Sequence, residues 1–320
     1  MINSKPINCP VTMIIFNRED NARQVFNQIK KVKPPKLFVI ADGPRENRPH
    51  EADLCKKARS IIDEVDWDCE IISDFAEKNM GCRNRIATGL TWIFSQTECS
   101  IILEDDCLPS LSFFYYCEEL LEKYRNDERI MMISGNNHSF LQPPNQDSYY
   151  FTRHVHIWGW ATWARAWNHF DLDIKKWPSY RKQKYLSAFF NKKSDYYFWE
   201  AMFDLYQKKR VPSWDGAWVF AVWTQSGLSI APRENLIQNT GISPEATHTT
   251  GYDRFSRLLA YELNFPLQHP ECMVENRVFD NQEMKIRLKE IKRLPYPLVK
   301  WASQLKWFIK DLQNAHAKKN

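Results

Sequence analysis

Apolar positions in the first half of the chain alternate between two periods. Val11 to Phe16 is a short continuous run, and Asp20 to Lys31 then carries Ala22, Val25, Phe26 and Ile29 at helical spacing. Leu37 to Ala41 is a second run, closed by the turn signal Asp42-Gly43-Pro44. A polar helix is predicted over Glu51 to Val65 and a strand over Cys69 to Ser73. A helix over Asn84 to Phe94 places Ile86, Leu90 and Ile93 on one face, and a strand follows over Ser100 to Leu103. Phe113, Phe114, Cys117, Leu120, Leu121 and Tyr124 form the next helical stripe, and Ile130 to Ser134 the next strand. This alternation predicts an α/β fold, a mostly parallel sheet with helices on both faces. Right-handed crossovers bring the loops after the strands to one edge. Asn17-Arg18, Asp42 and Glu104-Asp105-Asp106 are expected to meet there.

The second half reads differently. Tyr149 to Trp223 is crowded with aromatics, among them Trp158, Trp160, Trp163, Trp167, Trp177, Trp199, Trp214, Trp218 and Trp223. Most are expected in the core, because indoles carry a large apolar area. Those beside glycine or acids, in Trp158-Gly159-Trp160 and Trp214-Asp215-Gly216, are also placed to form a platform for a sugar ring. From Glu283 to Asn320 the chain turns helical and basic. Leu298, Trp301, Leu305 and Phe308 recur at helical spacing among Lys300, Lys306 and Lys310. Such a helical tail either docks its apolar stripe on the preceding domain or lies on an anionic membrane surface.

Composition narrows the class. A chain of 320 residues, 43% hydrophobic and 26% charged, is long enough for one large core or two small ones and reads as folded. The net charge of +5 is mild and concentrated near the C-terminus. With no zinc-finger spacing and no aromatic RNA-binding motif, no nucleic-acid partner is expected. Cys9, Cys55, Cys69, Cys82, Cys99, Cys107, Cys117 and Cys272 contain no C-x-x-C pair, which suits a reducing compartment rather than a disulfide framework. The apolar run before Phe16 is too short for a signal peptide and is broken by Pro6 and Pro10. No stretch reaches bilayer length. These features predict a cytoplasmic protein, peripheral on the inner membrane face if the tail binds lipid.

The most specific chemistry lies at Ser100-Ile101-Ile102-Leu103-Glu104-Asp105-Asp106, a buried-strand pattern ending in three acids. Adjacent carboxylates at the mouth of a sheet repel one another and lose hydration. A hard divalent cation, Mn²⁺ or Mg²⁺, offsets that cost. A solvated acidic turn is the alternative.

Taken together, these pieces resemble nucleotide-sugar glycosyltransferases of the GT-A fold, a Rossmann-like mixed sheet. The closest resemblance is to the N-acetylglucosaminyltransferase I lineage and its bacterial relatives. The resemblance covers about Pro10 to Gly251 and implies a glycosyltransferase domain over 1–282, with a nucleotide-binding half at about 1–135 and an acceptor half at about 136–282. Pro10 to Arg18 resembles the opening strand whose Arg, here Arg18, binds the nucleotide. The resemblance implies that Asp42 contacts a uracil base and that Glu104-Asp105-Asp106 is the D-x-D motif. Asp106 would then hold the metal, with Glu104 and Asp105 on the ribose and donor sugar. Ile157-Trp158-Gly159-Trp160 resembles the acceptor-side loop. The segment from Gly241 to Gly251, with His248, resembles the loop that folds over the donor pyrophosphate.

Ser213-Trp214-Asp215-Gly216-Ala217-Trp218 resembles the segment carrying the catalytic base, with one departure: Gly216 and Ala217 follow Asp215 where the family has a second acid. Asp215 is the candidate base and Glu200 the reserve. The implied reaction moves a sugar from a nucleoside-diphosphate donor, most simply UDP-linked, to a hydroxyl of a glycan or lipid-linked acceptor. The metal meets the charge of the departing diphosphate. Arg83, Arg85 and His248 are candidate phosphate donors, and a carboxylate opposite the leaving group takes the acceptor proton, inverting the anomeric centre. Plainer readings stand beside these: Asp215 as a helix N-cap before Trp218, Val219 and Val222, Arg83 and Arg85 on a solvated helix face, His248 as a hydrogen-bonded loop residue, Asp42 as a turn residue. Two other classes share parts of the pattern. A sugar-phosphate nucleotidyltransferase needs a glycine-rich loop that Asn17-Arg18-Glu19-Asp20 lacks, and a carbohydrate-binding protein needs no ordered acids.

Overall fold

The continuous apolar runs become the strands buried on both faces. A computed structural model describes residues 5–190, 192–241 and 254–291. In chain order the elements are β1 (Val11–Ile15), α1 (Glu19–Val32), β2 (Lys36–Ala41), α2 (Glu51–Arg59), β3 (Glu70–Phe75), α3 (Gly81–Phe94), β4 (Cys99–Glu104), β5 (Cys107–Pro109), α4 (Leu111–Lys123) and β6 (Ile130–Ser134). There follow β7 (Tyr149–Thr152), β8 (Trp160–Trp163), α5 (Ala164–Trp167), α6 (Trp177–Lys182), α7 (Lys193–Gln207), α8 (Asp215–Thr224), β9 (Leu228–Pro232), β10 (Ile237–Asn239) and α9 (Arg277–Ile291).

Eight strands make one sheet in the order β3-β2-β1-β4-β8-β6-β9-β7, and β10 pairs with β5 in a separate ribbon. β3, β2, β1 and β4 are mutually parallel. β8 is antiparallel to both β4 and β6, and β7 is antiparallel to β9, which itself runs parallel to β6. The expected mostly parallel α/β sheet is therefore present, with its antiparallel members confined to one end. All five residues of β1 are buried, as a strand covered on both faces requires. β3 is the edge strand at the parallel end, half-exposed, and its Glu70 pairs with Lys36 at 2.7 Å. Charge on an edge discourages pairing with another chain.

Helix boundaries follow local chemistry. α1 buries Ala22, Val25, Phe26, Ile29 and Val32, starts with Glu19 and Asp20, and ends with Lys30 and Lys31. Those charges complement the helix dipole at both ends. Lys33 then turns left-handed, with φ of 42°, and stops the helix. The helix predicted over Glu51 to Val65 is shorter than its pattern. α2 ends at Arg59 and a 3₁₀ turn occupies Ser60–Glu64.

The chain divides into two compact units, Met1–Leu172 with Pro212–Glu283, and Asp173–Val211 with the chain from Met284. The first unit contains the entire sheet. The halves expected on either side of residue 135 share one sheet, since β6 to β9 join the strands before them. The boundary expected at 282/283 falls inside α9. In the second unit, Trp177 packs on Phe203 at 5.2 Å and donates from Nε1 to Asp204 at 2.9 Å. The basic tail beyond Ile291 lies outside the described residues. All eight cysteines are free thiols. Among the described residues no helix is long and apolar enough to cross a membrane.

Most tryptophans are core, as expected. Trp160, Trp167, Trp214 and Trp218 pack together with ring centroids 5.2–6.3 Å apart. None of the four is more than 3% exposed.

Candidate active site

Register sets the site. Ile15 lies opposite Ala41 and Ile14 opposite Glu104, so the residues that follow β1, β2 and β4 leave the sheet at one level. Open α/β sheets bind ligands at such an edge. A cavity of about 180 Å³ opens there, lined by Arg18, Asp42, Glu104, Asp105, Asp106 and Gly241 among others. The structure thus brings together the three loops that the sequence pattern sent to one edge.

β10 completes the cavity. Its pairing with β5 sets Asn239 opposite Cys107, and the Thr240 N–H donates to the Asp106 carbonyl at 2.8 Å. Asn21 Nδ2 donates to Thr240 Oγ1 at 3.0 Å, tying α1 to the same point. A Cβ on the next residue, Gly241, would stand 2.1 Å from Asp106 Oδ2 and 2.9 Å from Arg18 Nη1, so a side chain there would push the ends of both aside.

The charges are unbalanced. Arg18 Nη2 donates to Asp105 and, at 2.9 Å, to Asp106 Oδ2. The Phe16 N–H also donates to Asp105, at 3.3 Å. Burial works against the Arg18 charge, but Asp105 and Asp106 outweigh it and hold the guanidinium protonated. Burial pushes Glu104 up to about 8, reinforced by the charges of Asp106 and Asp105 and opposed by Arg18. The Cys82 thiol is pushed far up by burial, then by Glu104, Asp215, Asp106 and Asp42, so it stays protonated and is no nucleophile. Asp215 therefore shares the negative field of the triplet. Three adjacent acids against one guanidinium leave an excess that a divalent cation would neutralise. The donors are all carboxylate oxygens, which fits Mg²⁺ or Mn²⁺. Asp106 is the best-placed ligand, because its Oδ1 receives only the weak Cys107 thiol contact, at 3.6 Å, among the described residues.

Other nominated residues are committed elsewhere. Asp42 is buried, and its carboxylate accepts from the N–H groups of Gly43 (2.8 Å), Met80 (2.8 Å) and Gly81 (2.9 Å) and from Asn79 Nδ2 (3.0 Å). Those bonds latch the 79–81 loop against the end of β2. Gly43 lets the two backbones meet, since a Cβ there would be 2.4 Å from the Lys78 carbonyl carbon. Arg85 lines the cavity, yet its guanidinium donates to the Ala41 carbonyl at 3.0 Å and pairs with Asp74 at 2.8 Å. Arg83 donates to the Leu172 carbonyl at 3.0 Å and is not among the cavity-lining residues.

Asp215 is the first residue of α8 and accepts from Ser213 Oγ. Trp214, not Asp215, occupies the N-cap. In the Trp158-Gly159-Trp160 loop, Trp160 is 1% exposed and paired across from Ile102 of β4, while Gly159 takes φ of 65°. Trp160 thus supports the wall of β4 from within the core. Glu200 lies in the second unit, accepting from Tyr196 at 2.8 Å and 3.6 Å from Arg181. His248 lies outside the described residues.

Several contributors escaped the sequence reading. The Asn79-Met80-Gly81 turn carried a usable signal, a glycine at the start of a helix; Gly81 has φ of 75°. Arg45 lines the cavity, stacks over Phe16 at 5.4 Å and is held by Glu51, which also binds Asn17. Thr240 gave no local signal, whereas Gly241 opens the segment that the resemblance set over the donor pyrophosphate.

No protein-family model matches the chain, and no curated protein matches it. Among solved structures it is similar to 4-diphosphocytidyl-2C-methyl-D-erythritol synthase from Anaerococcus prevotii, with 12% identity over 58% of this chain and 78% of the other and a TM-score of 0.32. It is also similar to UDP-glucose pyrophosphorylase in its apo form, at 8% identity over 72% of this chain and 93% of the other, with a TM-score of 0.35. A UDP-glucose pyrophosphorylase complexed with UDP-glucose matches at 11% identity over 46% of this chain and 64% of the other, with a TM-score of 0.25. Likenesses this loose carry no argument about activity. The chain is a mixed α/β protein whose mostly parallel sheet ends in an acid-lined cavity.

Proposed function

We propose that the protein is a metal-dependent glycosyltransferase that moves a sugar from a nucleoside-diphosphate donor, UDP-linked in the simplest case, to a hydroxyl of a glycan or lipid-linked acceptor. The observation that carries this reading is the convergence of Arg18, Glu104, Asp105 and Asp106 on one cavity at the strand ends. The resemblance of the sequence to the N-acetylglucosaminyltransferase I lineage adds the reaction class. In this reading Asp106 holds Mn²⁺ or Mg²⁺, which supplies Lewis-acid neutralisation of the departing diphosphate. Arg18, beside these acids, would pair with the phosphates of the donor. Glu104 and Asp105 accept from ribose and sugar hydroxyls. Asp42 acts through the 79–81 loop it holds, shaping the base-facing wall. Asp215 takes the acceptor proton as the new bond forms, so the anomeric centre inverts.

The nucleotidyltransferase reading keeps the same cation but demands a loop over a triphosphate. The β1–α1 connection here is short, Phe16-Asn17-Arg18, and contains no glycine. One experiment separates the two. The full chain is given UDP-, GDP- and CDP-sugars with Mn²⁺ and, separately, sugar 1-phosphates with nucleoside triphosphates. Slow metal-dependent release of sugar from a nucleoside-diphosphate donor is expected. Pyrophosphate release in the second mixture would establish the nucleotidyltransferase, and silence in both would remove both readings.

A further inference from the structure

A second cluster of metal-ligating side chains lies away from the acid cavity, and none of its members lines that cavity. His138 follows β6, His156 lies in the segment between β7 and β8, and Glu283 is on α9. One ligand atom from each comes within 4.8 Å of the others, and all three residues are buried. We propose that His138, His156 and Glu283 form a structural site for a first-row transition-metal ion of the Zn²⁺ type, clamping α9 to the mixed end of the sheet.

The donor chemistry points to the ion. Two imidazole nitrogens and one carboxylate oxygen suit Zn²⁺ far better than Mg²⁺, which prefers an all-oxygen shell. Tetrahedral Zn²⁺ with bonds of about 2.0–2.1 Å holds its ligand atoms about 3.3 Å apart. His156 Nε2 already lies 3.0 and 2.9 Å from the two Glu283 oxygens. The His138 ring lies 4.3 Å, centroid to centroid, from the His156 ring. Small side-chain rotations would bring the three protein atoms to that spacing, with a water filling the fourth tetrahedral position.

The surroundings behave as a supporting shell. His154 reaches two residues of α9, its Nδ1 3.6 Å from Glu283 Oε1 and its Nε2 3.2 Å from the Asp280 carbonyl. Asp280 in turn accepts from Thr152 Oγ1 and from the Arg153 N–H at 3.2 Å. Metal-ligating groups are characteristically steadied by such outer hydrogen bonds. Phe255 and Trp158 pack their rings on His138 at 4.8 and 5.4 Å and cover it. A divalent ion here would tie together three buried segments far apart in sequence.

The competing account is a buried histidine–glutamate pair with no metal, and Co²⁺ decides. The full chain carrying Asp106→Asn, so that the acid cavity contributes little, is stripped with a chelator and titrated with Co²⁺. One equivalent should bind with visible d–d absorption, and Zn²⁺ should displace it and raise the Tm. His138→Ala or Glu283→Gln in the same background should abolish the absorption. Should those variants fail to fold, X-ray absorption on the Zn²⁺-loaded Asp106→Asn chain reads the shell directly, and imidazole scattering is expected. An oxygen-only shell, no bound Co²⁺, or binding unchanged by His138→Ala would overturn the site.

Discussion

At the parallel end of the sheet several acids surround one guanidinium; at the mixed end one acid is cornered by imidazoles. The first cluster is open to a cavity of about 180 Å³ and carries more negative charge than Arg18 can answer. The second is roofed by Phe255 and Trp158 and buries each of its three candidate ligands. The contrast shows how one fold makes two kinds of electrostatic demand. Hard oxygens around open space call for an exchangeable hard cation and a substrate that brings further ligands. Mixed nitrogen and oxygen donors in a buried corner call for a cation that stays. Activity should therefore follow Mn²⁺ or Mg²⁺, while Zn²⁺ should act on stability.

The comparison breaks most sharply at Asp106. Asp106→Ala should reduce sugar transfer to background while the far-UV spectrum and Tm stay close to those of the parent. EDTA should do the same to the unmodified protein. Retained turnover in either case would leave the parallel end without a catalytic cation.

Next in size is the packing between the two ends. Trp160 sits on β8, the strand inserted between β4 and β6, and touches Trp167, Trp214 and Trp218. Trp160→Ala should cost about 3–5 kcal/mol in denaturant unfolding, the usual range for a lost core indole. A loss below about 1 kcal/mol would mean that the stack contributes little to joining the two ends.

Asp215→Asn should lower turnover by ~10²-fold with donor affinity nearly unchanged, as expected for a missing general base. Collapse of donor binding along with turnover would make Asp215 a structural or donor-contact residue. Glu200→Gln is expected to leave turnover near that of the parent, and a large loss there would move the base assignment to Glu200.

The smallest effect should come from the latch. Asp42→Ala strands the N–H groups of Gly43, Met80 and Gly81 and should cost about 1–3 kcal/mol in stability. It should also narrow any preference for UDP over GDP. An unchanged nucleotide preference, measured by competition, would separate the 79–81 loop from base recognition.

What the sequence disclosed depended on the range of the signal. Val11–Ile15, Lys36–Ala41 and Cys99–Glu104 are continuous apolar runs whose burial is written locally, and the triplet after the last run needs no partner to be noticed. Arg18 and the acids converge because parallel register follows from that alternation. Arg85 could not be read in the same way. Its commitment to Asp74 and the Ala41 carbonyl depends on how far a side chain reaches across two strands. The Asp42 latch likewise joins positions 42 and 79–81 through hydrogen bonds that no periodicity encodes. β8 was hidden because Trp160-Ala161-Thr162-Trp163 is buried throughout and has no alternation. The histidine cluster was invisible for a related reason, since its members lie on three segments and share no spacing.

The bond from Thr240 to the Asp106 carbonyl spans 134 positions of the chain. A protein made from its N-terminus exposes its acids long before that partner exists. Until the ribosome has released Thr240, the strand end carries its repelling carboxylates without the ribbon that frames them. Closing so long a loop is slow, because its entropy must be spent before the contact forms. On the proposed function, affinity for the nucleotide should thus be acquired late in biogenesis, after the chain past Thr240 has emerged and the ribbon has closed on the acids.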